Sequence, residues 1–510
     1  MAEQIVARLR DLPEGGMKPL EIAGTKIVLI RLGDAVHALA GECPHAGAPL
    51  HEGAICNGRL ICPWHSGTFD IEDGGLVEPP PMQSLARFPA RIQDEDVLVD
   101  PTPLPRRTPV WRTGRDKRIA ALVGNGAAAA MAATSLREFG FEGRILMIGP
   151  NAEEPIDRTL LSKMSMSGEM GLDALPLWAG PEAERLGLER LTAEVRALDA
   201  PAMRLTLSDG SDVLYDLALI ATGGRPRVLD VPGHDLPGVF TLRHRADLEA
   251  IQETAAKTDR AVIVGTSFIG MEAAGALSQR GLKIAVAGPD ELPFAKQFGP
   301  ELAGALKRLH ERKGIVFHLR REVARFEGKD RLEAVVLASG ERLETGLALI
   351  AIGVQPATDF VSGIRKADDG GIVVDRHLRA DAPGLYAAGD VAVFPGFDGS
   401  PLRIEHWRVA EQQGRAAARN MLGLAEAYAR VPFFWTTQQD VVIDYVGHAK
   451  DWDEVVVDGD LDGFEFLAFY VKDGFVDAVA TCGRDRQTAL LSELMRERWH
   501  LPALRARLAG

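Results

Sequence analysis

The chain has 510 residues, 46% hydrophobic and 25% charged, with 53 glycines and a formal net charge of −14. That length exceeds what one hydrophobic core organises, so three or four domains are expected, and the composition excludes a disordered or collagen-like chain. The acidic balance, with no Lys/Arg block, speaks against nucleic acid, and no run approaches the roughly 18 apolar residues of a membrane span.

The N-terminal stretch MAEQIVARLRDLPEGG has no apolar leader and cysteine is scarce, so the expectation is a cytoplasmic protein that uses cysteine for metal or redox chemistry. Three of the four cysteines fall within GECPHAGAPLHEGAICNGRLICPWHSGT, residues 41 to 68. Cys43 and His45 form one pair, Cys62 and His65 a second, and a proline follows each of these two cysteines. One thiolate and one imidazole per loop suits a [2Fe-2S] centre with two cysteines on one iron and two histidines on the other. Four-coordinate zinc is the rival, although zinc spacings usually put like ligands together, and the iron cluster is favoured. CPHAGAPL and CPWHSGTFD resemble the Rieske domain, over residues 1–104. High-potential Rieske proteins carry two further bridging cysteines where this chain has Ala48 and Trp64, so the resemblance is to the soluble ferredoxin type. Cys56 and Cys482 read as small buried hydrophobes, and His37 and His51 as surface or packing residues.

Residues 101 to 118 are rich in proline and arginine, which places a linker at 105–117. Then follows a buried-strand run, Gly124-x-Gly126-x-x-Ala129, a small-residue helix and a second strand, the pattern of a dinucleotide-binding unit. AVIVGTSFIGMEAAGALSQRGLKIAVAG repeats it with Gly265, Ser267 and Gly270. Each unit is answered by a similar strand and turn, DLALIATGGRP with Thr222 and Gly223, and GLALIAIGVQP with Gly353. GLYAAGDVA adds Gly389 and Asp390 at a strand end. Residues 118 to 425 resemble the two-dinucleotide flavoproteins, in which the NAD(P) unit (244–363) is inserted into the FAD unit (118–243 and 364–425).

PIDRTLLSK, with Arg158 and Lys163, resembles the flavin-contacting stretch of ferredoxin reductases of the oxygenase-coupled and apoptosis-inducing-factor type. Disulfide reductases of this architecture need a cysteine pair after the first unit; no cysteine lies between Cys62 and Cys482, which excludes them. The tail from 426 to 510 alternates apolar and polar residues with Asp-Gly turns and resembles the reductase C-terminal domain. The whole chain therefore resembles the apoptosis-inducing-factor-like Rieske flavoproteins. The expected fold is an all-β Rieske domain, an α/β two-dinucleotide flavoprotein and an α+β C-terminal domain.

The resemblance implies FAD, a Rieske [2Fe-2S] cluster and NAD(P)H as cofactors. It implies hydride transfer to FAD, then single electrons to the chain's own cluster and on to an unidentified protein or small-molecule acceptor, in a monomer or homodimer. By the same resemblance Gly124, Gly126 and Ala129 admit the FAD pyrophosphate, Asp390 bonds the flavin's ribityl or phosphate region, and Lys163 and Glu272 pair beside the reactive flavin edge and nicotinamide pocket. The plain alternative for that pair is two solvated helix-face charges. Trp407 and Trp435 read equally as flavin lining or ordinary core, and Arg225 and Arg227 as phosphate contacts or strand caps. Neither unit carries the usual ribose-reading acid. Asn151 is the substitute expected for FAD, Asp290 or Glu291 for NAD, and with Lys296 the nearest cation NADH is favoured over NADPH. No close helical histidine pair occurs outside the cluster, so no built-in oxygenase iron is expected. The alternative function is a redox-dependent binding or signalling protein with slow NADH oxidation.

Overall fold

The computed structural model describes residues 3–105, 116–151, 154–178 and 184–509. Most of the expected linker, residues 106–115, lies outside them.

Short strands with frequent glycine turns build the N-terminal part as three antiparallel sheets. One joins Met17–Ile22, Thr25–Leu32, Ala35–Ala40 and Arg87–Phe88; another joins Ala54–Cys56, Arg59–Ile61, Thr68–Asp70 and Leu76–Glu78. The Cys43 loop leads out of the first sheet toward the second, and the Cys62 loop joins Arg59–Ile61 to Thr68–Asp70 within the second.

The two fingerprint segments each open a parallel sheet. The first has the order Leu188–Thr192, Arg144–Gly149, Ile119–Val123, Leu217–Ile220, Leu385–Ala387, and its helix Ala127–Glu138 follows directly from the glycine turn. The second, in the order Val239–Phe240, Ala348–Ile350, Arg260–Val264, Lys283–Gly288, Val316–Leu319, carries the helix Phe268–Gln279 in the same place. Leu385–Ala387 returns to pair with Leu217–Ile220, so the whole second sheet is inserted between neighbouring strands of the first. Each sheet also carries a three-stranded antiparallel meander, 195–214 and 323–344. These central strands are apolar on both faces because helices cover the sheet, which is why they read as continuous hydrophobic runs.

The last part is a five-stranded antiparallel sheet, with Phe433–Gln438 at one edge, followed by helices Asp485–Leu494 and Leu501–Leu508. Its apolar core is not closed on itself: Ala54, Cys56 and Ile61 of the N-terminal part join Val431, Phe433, Val446 and Phe469 in one buried cluster. Polar contacts complete this junction. Arg408, on the helix Trp407–Met421, donates to the carbonyls of Ser66 and Pro79 at 2.8 Å each. Arg415, two turns further along the same face, donates to Leu76 O at 2.6 Å and to Glu138 at 2.9 Å. Buried Glu78 receives Arg496 at 2.7 Å, Arg430 at 3.2 Å and the Gln412 amide at 3.0 Å. The N-terminal part is thus held against the rest by buried, geometrically specific contacts. Among the described residues no helix is long and apolar enough to cross a membrane.

Candidate functional site

The two cysteine loops are built alike. Cys43 N–H donates to Ala48 O and Cys62 N–H to Gly67 O, both at 2.8 Å, and the fourth residue after each cysteine has positive φ, Gly47 at +77° and Ser66 at +54°. This shared turn presents each loop's donors in the same sense. Nδ1 of His45 lies 3.1 Å from Nδ1 of His65, and the thiols of Cys43 and Cys62 share a hydrogen bond. That bond, with burial, raises the Cys43 thiol, and the same bond, against burial, brings Cys62 down to about 7. Among the described residues no three Cys, His, Asp or Glu side chains converge on one point. Donors sorted as thiol with thiol and imidazole with imidazole are what a two-iron centre takes, and a single tetrahedral ion would draw all four together.

The histidine pair does not face open solvent alone. The Trp435 ring lies 4.3 Å from that of His65 and 6.3 Å from that of His45, centroid to centroid. On its other side Trp435 lines a large cleft, together with Gly126, Arg158, Lys163, Glu272, Asp390 and Trp407. The cleft and the cluster motif therefore share a wall.

Several features make this cleft fit FAD. At Gly124 φ is +123° and a Cβ would sit 2.3 Å from Ala221 O, so only glycine permits the turn. Gly126 ends the loop as the N-cap of the helix Ala127–Glu138, whose N-terminus and first residues form the floor. Ala129 is one position further on and wholly buried, packing helix against sheet rather than lining the cleft. Arg158, Arg243 and Asp390 line the cleft together, Arg243 contacting Asp390 at 3.1 Å and both acting electrostatically on Arg158. Burial and then Arg243 push Arg158 down to about 9, so an anion there relieves both. A pyrophosphate has that chemistry. Gly223 (φ +67°) and Gly389 (φ +78°) leave room beside these groups, and Thr222 is turned away, donating to Ala357 O at 2.8 Å. Asn151 accepts from the Asn125 amide at 2.9 Å and so stands beside the fingerprint loop.

Lys163 and Glu272, 109 residues apart, meet at 2.9 Å in the cleft wall. The carboxylate also receives Ser162 Oγ at 2.5 Å and Thr436 Oγ at 2.6 Å, so it is buried and fully satisfied. Neither residue is a solvated helix-face charge. Gly265 (φ +109°) repeats the tight turn in the second sheet, its Cβ position 2.4 Å from Ala351 O, while Ser267 caps the helix and Gly270 packs on Ala351. Gly353 (φ +94°) opens the facing turn. Asp290 accepts from Thr266 Oγ at 2.5 Å beside this turn with Lys296 at 3.7 Å, whereas Glu291 pairs with Arg320. Arg225 and Arg227 stand outside the flavin cleft, bonded to Asp359 and Val354 O.

Residues 120–414 match the family described as pyridine nucleotide-disulphide oxidoreductase, residues 2–89 the Rieske [2Fe-2S] domain and residues 433–508 the reductase C-terminal family. The chain is 34% identical to apoptosis-inducing factor 3 of Mus musculus, over 97% of this chain and 84% of that protein. The chain belongs to the apoptosis-inducing-factor-like Rieske flavoproteins. It is also 32% identical to the ferredoxin–NAD(+) reductase subunit of the benzene 1,2-dioxygenase system of Pseudomonas putida, over 74% of this chain and 92% of that one. Among solved structures it resembles the covalent putidaredoxin reductase–putidaredoxin complex, with 26% identity, a TM-score of 0.73 and coverage of 78% and 96% of the two chains. Within this family the cofactors are FAD, a Rieske cluster and NAD(P)H.

Sequence reasoning passed over Arg243, Ser162, Thr436, Arg408 and Asp157. None sits at a diagnostic spacing. Asp157 and Ser162 lay inside the motif PIDRTLLSK, one residue before Arg158 and one before Lys163, and those neighbours drew the attention.

Proposed function

We propose that the chain oxidises NAD(P)H, with NADH favoured, and delivers the electrons singly through its own Rieske centre to an external acceptor. Residues 1–104 carry the cluster, 118–243 and 364–425 hold FAD, 244–363 hold the nicotinamide nucleotide, 426–510 close the flavin cleft, and 105–117 link the first two. When bound, FAD would supply the chemistry that links two-electron hydride transfer from NAD(P)H to one-electron delivery to the [2Fe-2S] centre. The observation that carries the proposal is Trp435, which lines the flavin cleft and contacts the ring of His65 at 4.3 Å. FAD bound in this cleft and a cluster held by His65 would have the Trp435 ring between them.

The protein's part is placement and electrostatics. Lys163, fixed by Glu272 and by Thr159 O at 3.2 Å, sets a cation at the cleft wall where negative charge grows on reduction. Lys163→Met is expected to lower kcat for NADH-driven acceptor reduction by about 10²-fold with little change in KM. Cys62→Ser is expected to abolish the Rieske paramagnetic signal while flavin absorbance stays. Relatives named as ferredoxin reductases of dioxygenase systems support an acceptor of electron-carrier type.

An anaerobic titration with NADH, then NADPH, tests the reading. Flavin bleaching accompanied by a growing Rieske signal supports it. Bleaching beside an intact, dithionite-reducible cluster that stays oxidised contradicts it, and slow turnover with a long-lived reduced complex then points to a redox-dependent binding protein.

A further inference from the structure

Asp157 belongs to the reductase but reaches the cluster loops. Its backbone is pinned by the bond from its N–H to Leu175 O at 2.7 Å. Its Oδ1 receives both the N–H and the hydroxyl of Thr159, at 2.8 and 2.7 Å. The carboxylate cannot rotate freely, and Oδ2 is left 3.9 Å from Nε2 of His45, with side-chain exposures of only 12% and 17% for the two residues.

The side of His45 that Asp157 meets is informative. Nδ1 of His45 faces Nδ1 of His65, so the δ nitrogens are the ones turned toward the shared centre and Nε2 is left as the N–H donor. An imidazole that binds metal through one nitrogen characteristically gives its other N–H to a carboxylate, which fixes the ring and strengthens it as a ligand. The second histidine differs. His65 packs on Trp435, and the charges nearest it are His45, Lys163 and Arg408. One imidazole therefore meets an anion and the other meets cations and an indole.

We propose that Asp157 is a positioning residue for the cluster, whose carboxylate, at ion-pair distance from Nε2–H of His45, orients that ligand by its charge and holds the reduction potential of the centre down. The inference rests on Cys43, His45, Cys62 and His65 being the cluster ligands. A negative charge close to the iron's ligand, in a poorly solvated junction, favours the oxidised, more positive centre. The consequence is that the reductase part tunes its acceptor only while the two parts are docked.

The test uses full-length, FAD-containing, cluster-loaded protein. Asp157→Asn keeps an acceptor for Thr159 and removes the charge. At a fixed dye potential it is expected to raise the ratio of reduced to oxidised cluster by about tenfold, which for a one-electron couple is about 59 mV. The g values of the reduced cluster are expected to move with it, and Asp157→Glu to restore both toward the wild type. If Asp157→Asn does not retain the cluster, Thr159→Val, which removes one of the bonds aiming the carboxylate, is expected to show a smaller upward shift. A wild-type potential and spectrum in the loaded Asn variant, or in the Val variant where it replaces it, overturns the inference while leaving the ligand reading intact. A wild-type protein that yields no Rieske signal on reconstitution overturns both.

Discussion

Gly124→Val is expected to yield a folded protein that retains its Rieske cluster, contains no FAD and has lost NADH-dependent acceptor reduction by at least about 10²-fold. The reason is local. The backbone at 124 has φ +123°, and a side chain there would begin 2.3 Å from Ala221 O, a backbone atom at the end of a central strand. Forcing a β-branched residue into that conformation costs about 1–3 kcal/mol in strain alone. The rest must come from moving the loop, and the loop is the part that brings backbone N–H groups to the pyrophosphate. Flavin content from absorbance of the purified protein, beside iron content, checks it; normal flavin occupancy contradicts the assignment of the cleft.

The second large effect is expected at Glu78. This buried carboxylate is met by Arg496, Arg430 and Gln412, which come from beyond the cluster-bearing part. Glu78→Ala removes the buried anion that Arg496 and Arg430 share, leaving them only Glu493 and Glu426 respectively, a change that destabilises by about 3 kcal/mol, the low end for breaking a buried pair. The expected result is a lower Tm together with slower reduction of the cluster by NADH, because the docking that places His65 on Trp435 is loosened. The pH dependence has a definite sign. Burial pushes the carboxyl up, but Arg430, Arg408 and Arg496 together outweigh it and hold it down to about 2, below its ordinary 4.5. A depressed folded value means the stabilisation is fully present above about pH 4.5 and is lost as pH falls toward about 2. Glu78→Gln is expected to flatten the fall in stability across that window, as followed by thermal melts at each pH.

The parts of this molecule that were legible in its sequence are those encoded by short spacings. Gly124 and its repeat at Gly265 announce tight turns because a side chain is strained at their positive φ, and the two Cys/His loops announce paired thiols and paired imidazoles because each loop supplies one of each. The inserted second unit was legible too, since ATGG and AIGV close two similar halves. The cross-domain chemistry was not. Glu272 finds Ser162 and Thr436 across 110 and 164 residues, and Arg408 finds Ser66 O across 342. Arginines and glutamates of that kind look like solvated surface charge until the docked junction removes the solvent. Asp157 illustrates it best, since its local role capping a turn at Thr159 hides the histidine it faces in the first cluster loop.

Rapid anaerobic mixing with excess NADH, following flavin bleaching and cluster reduction over a tenfold range of protein concentration, addresses the central claim most directly. The account predicts that cluster reduction follows flavin reduction with a rate constant independent of protein concentration, because it puts the two proposed centres on either side of Trp435 in one chain. A rate that rises in proportion to protein concentration, or a reducible cluster left oxidised after the flavin has bleached, would contradict it.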